Sequence, residues 1–224
     1  MLFLVGLFLL LVPLPAPLPP PASKARNLPV ALLTGLSGMA YLLWIASYLR
    51  SRVRRASHSM DPVFLKHGFQ LGKSYAIART FRGEHDGMAI TGDLFPDYKL
   101  HPWRLSLRGS VLTGVQAVLS NRQPVILGPK MSRFPAEGRL SSIFIYGDHP
   151  QWLEKILGQS HTIQRLESIR TTLSTSDTWQ LIVEPQSLQL RIMTYTMTTD
   201  HMGIWLDSFF HLAKTFSTPG KTPE

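Results

Sequence analysis

Three positions along the chain place a histidine next to an acidic residue, and imidazole with carboxylate is suited to binding a divalent metal or transferring a proton. These positions are Glu84-His85-Asp86, Asp148-His149 and Asp200-His201. The first falls in a predicted turn, the second at the end of a predicted strand and the third at the start of a predicted helix. A metal-assisted hydrolase built on these positions would use His85, Asp86, His149 and His201.

The structural roles expected of these residues account for them without any chemistry. Asp148 and Asp200 stand where helix N-caps are expected, and a turn rich in glycine and acid is common. Neighbours on a strand point to opposite faces, so adjacent residues rarely share a metal ion. The sequence also lacks the usual phosphate-binding, zinc-protease and serine-hydrolase motifs, and it has no cysteine. We therefore predict no catalytic residue, no metal ligand and no cofactor.

Four tryptophans offer a second kind of site. Trp103, Trp152, Trp179 and Trp205 could line a ligand cavity between a curved sheet and the last helix. Large aromatic residues more often fill the core of a domain of this size. A cavity and a solid core are the two alternatives that a structure must separate.

The elements that position these residues form a predicted α+β domain. Alternating apolar residues predict strands at 74–82, 88–95, 103–108, 125–127, 142–146, 179–183 and 188–197, with a turn at 83–87. Helical spacing and capping residues predict helices at 62–67, at 150–157, from residue 160 and from about 199 to 216. Residues 110–119 are a further candidate for an apolar helix. Together they predict an antiparallel sheet of about six strands with helices on one face.

The N-terminal part of the chain has a different composition. Residues 30–49 contain no charged side chain, and a helix of that length is about 30 Å long, which matches the hydrocarbon core of a bilayer. They predict a transmembrane helix. Residues 1–29 form a hydrophobic, proline-rich leader, which is either a first membrane segment paired with this helix as a hairpin or a signal-like leader.

Basic residues set the predicted orientation. Arg50, Arg52, Arg54 and Arg55 follow the apolar segment at once, and the positive-inside rule then places residue 50 onward in the cytoplasm. The chain has 224 residues and a net charge of +9, but six of its 23 basic residues precede residue 56. The predicted partners are therefore the bilayer, with anionic lipids at these arginines, and no nucleic acid is expected.

Two further sets of residues suggest contacts with other proteins. Gly35 and Gly38 would allow another helix to approach the membrane segment closely. On the last helix, Leu206 and Phe210 lie beside an apolar stripe that already includes Trp205. A helix apolar over so much of its circumference is either enclosed or part of an interface, so we predict that Leu206 or Phe210 touches a partner or the membrane surface.

The sequence thus predicts a leader over 1–29, a transmembrane helix over 30–49, a basic linker over 50–60, a cytoplasmic α+β domain over 61–216 and a tail over 217–224. The predicted function is that of a non-catalytic accessory or scaffolding subunit of a larger membrane protein complex. The alternatives are a membrane-tethered ligand- or lipid-binding domain and a metal-assisted hydrolase.

Overall fold

A computed structural model describes residues 24–72, 78–95, 103–124, 127–136 and 138–217. Within the first helix it describes the side chains of residues 35–48, 51, 54, 55 and 58. The predictions for residues 1–23 of the leader, for 74–77, for 125 and 126 and for the tail from 218 lie outside the described residues. Residues 24–29 of the predicted leader form the start of the first described helix, and Ser217 of the predicted tail ends the last helix. The chain divides into two units, residues 1–50 and residues 51–224.

The first described element is a long helix, α1, over Lys24–His58. Its side chains from residue 35 to residue 48 are exposed almost throughout, although many are large and apolar. Within the described part of the chain, no helix meets both the length and the apolarity that crossing a membrane requires. The transmembrane helix over 30–49 therefore remains a prediction.

The second unit is an α+β domain built on one antiparallel sheet. Its helices are α2 (Asp61–Lys66), α3 (Pro150–Leu157), α4 (Ser160–Thr171) and α5 (Thr199–Ser217), with a 3₁₀ turn at Gly138–Leu140. Its strands are β1 (Gln70–Leu71), β2 (Arg79–His85), β3 (Met88–Phe95), β4 (Trp103–Ser110), β5 (Ala117–Ser120), β6 (Ser132–Phe134), β7 (Phe144–Gly147), β8 (Thr178–Glu184) and β9 (Ser187–Thr194).

In the described part of the chain, nine strands pair in the order β1-β2-β3-β4-β9-β8-β5-β7-β6, every pair antiparallel. The prediction of a large antiparallel sheet is confirmed, although about six strands were expected. Residues 117–120 form β5, which corrects the helix suggested for 110–119. All four of its residues are buried, so the sequence shows no alternation there.

Along β2, β3, β4, β8 and β9, one face of the sheet carries the core. Leu107, Leu181 and Leu190 are fully buried on this inner face, while Arg108 and Arg191 on the outer face are exposed. This alternation produces the buried and exposed rows that the strand pattern predicts.

The β2–β3 hairpin is tighter than expected. The predicted five-residue turn is a two-residue turn at Asp86 and Gly87, with positive φ angles of 50° and 77°. Both central residues of such a turn need left-handed backbone, which Asp tolerates and Gly adopts freely. Strand β2 therefore continues to His85.

A buried carboxylate joins three strand ends. The Asp177 carboxylate accepts hydrogen bonds from the backbone N–H groups of Ser174 and Tyr195, at 2.9 and 3.0 Å, and its carbonyl oxygen accepts one from Asn121. Burial by itself would raise the pKa of Asp177, but the hydrogen bonds from Ser174, Tyr195 and Thr194 outweigh it and hold the pKa below its usual value.

A buried arginine connects the end of α1 to the sheet. Arg79, which is 9% exposed, binds both carboxylate oxygens of Asp61, at 2.8 and 3.0 Å, and also donates to the Gly72 carbonyl. His58, the last residue of α1, lies 2.9 Å from the same carboxylate. We call His58, Asp61 and Arg79 the junction clamp. Asp61 directly precedes Pro62, as an N-cap residue would, but its side chain serves this clamp, and Met60 occupies the N-cap position.

The Asp177 site predicts a pH dependence of stability. A folded-state pKa below the unfolded value means that ionised Asp177 stabilises the fold at pH above the unfolded value, and that this contribution is lost as the pH falls through the folded-state pKa. Asp177→Asn should lower the free energy of unfolding at neutral pH by about 1–3 kcal/mol. Denaturant titrations of both proteins at several pH values should show the difference shrinking in acid. A constant difference would contradict this role of the charge.

The junction clamp predicts a second stability effect. Asp61→Ala would leave the buried Arg79 guanidinium without its carboxylate, so we expect a loss of about 1.5–3 kcal/mol in the free energy of unfolding. Lys214→Ala is the matched control, because the Lys214–Asp86 ion pair is largely exposed and should contribute about 0–1 kcal/mol. Equal losses in thermal or denaturant unfolding would show that the clamp contributes no more than a surface pair.

Candidate functional site

The structure separates the histidines that the sequence singled out. His85 stacks on Phe210, with ring centroids 4.1 Å apart, and Asp86 forms an ion pair with Lys214 at 3.2 Å. Among the described residues, no three His, Asp, Glu or Cys side chains come together in a way that could hold a metal ion. This geometry therefore does not support the alternative that the protein is a metal-assisted hydrolase.

The other two histidine positions have structural roles around them. Asp148 does not cap α3; its carboxylate accepts a hydrogen bond from the Gln116 backbone N–H at 2.9 Å, and exposed His149 occupies the N-cap position. At the start of α5, the Thr198 hydroxyl accepts from the backbone N–H of His201. This hydroxyl acts in place of the predicted cap at Asp200.

The tryptophans are core residues. Trp179 and Trp205 are 1% and 0% exposed, and the Trp205 indole N–H donates to the Thr172 hydroxyl at 2.7 Å. Trp103 and Trp152 are half-buried and pack against the same core. Of the two alternatives, a ligand cavity and a solid core, the positions of these four side chains match the solid core.

Leu206 and Phe210 are buried as well, at 0% and 5% exposure. We predicted that one of them touches a partner because the sequence left one face of α5 without neighbours in its own chain. The structure corrects this, since the domain itself covers that face. The Phe210 ring packs against His67, Phe69 and His85, with centroid distances between 4.1 and 5.9 Å. The segment from α2 to β2 thus covers a face that the sequence pattern left without an apparent neighbour.

Most of the large apolar side chains that lie exposed in the described residues are on α1. Leu36, Leu42 and Trp44 are 64%, 67% and 62% exposed. Tyr41, Trp44 and Tyr48 stack in succession along the helix, at centroid distances of 6.1 and 5.8 Å. We call residues 35–48 the exposed helix segment. Transferring such side chains out of water is favourable, so this segment is the strongest candidate for contact with a bilayer or another helix.

The predicted roles of two glycines in helix packing and of four arginines at the membrane surface remain predictions. A side chain added at Gly35 or Gly38 would meet no atom within 4 Å, so both glycines are open to a neighbouring helix. Arg54 and Arg55 are exposed, whereas the side chains of Arg50 and Arg52 lie outside the described ones.

The structure contains a pocket at the edge of the sheet that the sequence does not predict. It has a volume of about 370 Å³ and is lined by Arg133, Phe134, Pro135, Ala136, Ser141 and Ile143. It lies beside edge strand β6, and the Arg133 guanidinium stands 5.6 Å from the Phe144 ring centroid. Its lining mixes polar and apolar groups, and Arg133 is its charged residue. The three residues of β6 are too few for alternation to reveal, so the sequence predicts no strand there.

Comparisons with known proteins give one similarity. No protein-family model and no curated protein matches this chain. Among solved structures, the fold is similar to the crystal structure of the mycobacterial trehalose monomycolate transport factor A, TtfA, with a TM-score of 0.51 and 12% sequence identity. The match covers 75% of this chain and 97% of that chain. At this identity the similarity shows a common fold.

Proposed function

We propose that this protein is a non-catalytic accessory factor of a membrane protein complex, anchored by residues 30–49, and that it serves lipid transport. The observation that carries the proposal is the exposed helix segment. Leu36, Met39, Leu42 and Leu43 are each more than 60% exposed, and water is a poor environment for so much apolar surface in one helix. A bilayer, together with partner helices at Gly35 and Gly38, would cover it.

The charges that follow support one orientation. Arg54 and Arg55 are exposed near the end of α1, and Arg50 and Arg52 precede them in the sequence. In this proposal the arginines contact anionic headgroups on the cytoplasmic side, at roughly 1 kcal/mol for each charge near the surface. The α+β domain then lies in the cytoplasm, where the positive-inside rule places it.

The junction clamp lies wholly within the second unit. It joins His58, the last residue of α1, through the Asp61 carboxylate to Arg79 in the sheet. A bidentate arginine–carboxylate pair with a buried guanidinium has a defined geometry. The residues that follow the proposed anchor are therefore ordered on the domain at His58 and Asp61.

The link to lipid transport rests on the shared fold. TtfA is described as a transport factor for trehalose monomycolate, and the structural match covers most of this chain and nearly all of TtfA. A fold supports many functions, so this part of the proposal is an analogy to that protein and depends on experiment.

A second function, a membrane-tethered lipid- or ligand-binding domain, is favoured by the pocket beside β6. Arg133 could bind an anionic headgroup while Phe134 and Ile143 contact an apolar chain. The tryptophans do not take part, because two of them fill the core and the other two pack against it.

Membrane attachment is tested by fractionation. The full chain should sediment with membranes and resist alkaline carbonate, because residues 30–49 would stay in the bilayer. Replacing both Leu42 and Leu43 by Arg should release a large fraction, since charge at the centre of a span costs about 2.5–3.5 kcal/mol per residue. Leu112→Arg is the control, because Leu112 is 77% exposed but belongs to the domain. A wild-type chain that appears in the carbonate supernatant would refute the anchor.

Native mass spectrometry in mild detergent separates the two functions. An accessory factor should appear with other membrane subunits, and the interaction should weaken in a Gly35→Leu, Gly38→Leu variant because bulky side chains keep helices apart. A lipid-binding domain should instead appear alone with a bound lipid that Arg133→Gln releases. A bare monomer in every preparation would contradict both.

A further inference from the structure

Three arginines surround one serine on the outer face of the sheet. Arg104 and Arg108 lie on β4, two residues to either side of Ser106, and Arg191 on β9 stands directly opposite Ser106. Diagonal neighbours on adjacent strands are about 7–8 Å apart, so Arg191 is within side-chain reach of both β4 arginines. All three arginines are exposed.

The chain holds each of these arginines in place. The Arg104 guanidinium lies over the Phe95 ring, 4.0 Å from its centroid. Arg191 donates to the side-chain oxygen of Gln189 at 2.9 Å, and the amide nitrogen of that glutamine donates to the Ser106 hydroxyl at 3.0 Å. Arginines ordered before a ligand arrives lose less side-chain entropy on binding.

Arg108 is held differently. It donates to the Glu184 carboxylate at 3.2 Å and to the Ser187 hydroxyl at 3.3 Å. A guanidinium has five N–H donors, so each of the three arginines keeps donors beyond its contacts within the chain.

Two carboxylates oppose part of this charge. Glu184 is paired with Arg108, and exposed Asp93 faces Ser106 from β3. By register Asp93 is a diagonal neighbour of Arg104 and of Arg108 alike, whereas Arg191 lies one strand further from it. Because Glu184 pairs directly with Arg108, Arg104 and Arg191 keep more of their positive charge than Arg108 does. Their planar donor groups match the oxygen atoms of a phosphate, which arginine binds with two parallel hydrogen bonds.

We propose that Arg104, Arg108 and Arg191 form a binding site for a phosphate group, with Arg104 and Arg191 as its principal donors. The group could belong to a phospholipid headgroup or to a soluble phosphate compound, and both present the same oxygen atoms. The site goes beyond the proposed function, because binding of soluble phosphate requires neither the membrane anchor nor a partner subunit.

The test titrates the full chain, in neutral maltoside detergent at constant ionic strength, with inorganic phosphate by calorimetry. Arg191→Gln should weaken binding about tenfold or more, since it removes charged hydrogen bonds. Asp93→Asn should tighten binding, because it removes the opposing carboxylate. Arg82→Gln is the matched control: it removes the same charge from the same face, about 12 Å from Ser106 by strand spacing, where salt screens the charge.

The outcomes are distinct. The site is supported if Arg191→Gln weakens phosphate binding and Asp93→Asn tightens it. The affinity of the Arg82→Gln control should then change by less than about twofold. No phosphate binding, or equal loss in the two arginine variants, overturns it, the latter in favour of diffuse surface charge. Repeating the titration in nanodiscs then identifies the source. Competition by phosphatidylglycerol, relative to phosphatidylcholine alone, assigns the site to headgroups, and no competition assigns it to soluble phosphates.

Discussion

Helix α5 has to bury apolar side chains around most of its circumference, and the domain is arranged to cover it. Trp205, Leu206 and Phe209 have no exposed surface. A Cβ added at Gly109 on β4 would lie 2.9 Å from the Met88 sulfur and 3.4 Å from the Phe209 ring, so the glycine lets β3 and α5 pack closely at this position. The segment from α2 to β2 covers Phe210 on another side. The hydrophobic effect thus explains both the one-sided sheet and the position of the short α2 segment.

Sequence pattern predicted the parts of this fold that repeat regularly. Helix α3 begins and ends at the expected residues 150 and 157, and β3 matches its predicted range. Strands β5 and β6 were missed because they are short, and β5 is buried on both faces. The covering of Phe210 could not be predicted either, since it depends on His67 and His85, which are distant in sequence and become neighbours of α5 only through the fold.

The same limit applies to the candidate sites. The run of uncharged residues in α1, which predicts the membrane anchor, is visible in local composition alone. The β6 pocket and the arginines around Ser106 depend on strand pairing, and Arg191 is far from Arg104 in the sequence. The histidine–acid neighbours do not form a common site, although they are adjacent in sequence. The fold uses them separately: His85 stacks on Phe210, Asp86 pairs with Lys214, and Asp148 accepts a hydrogen bond from the Gln116 backbone.

The pairing of β4 with β9 also has a consequence for how the domain is assembled from its sequence. Strands β1 to β4 and strands β5 to β9 are each contiguous along the chain, and the two groups meet along eight residue pairs, from Trp103 with Thr194 to Ser110 with Ser187. Hairpins within each group close short loops, whereas this border closes loops of more than about 70 residues, which costs more chain entropy. The β4–β9 pair therefore joins the residues that are farthest apart in sequence among the paired strands. It can form only when both groups of strands are ordered.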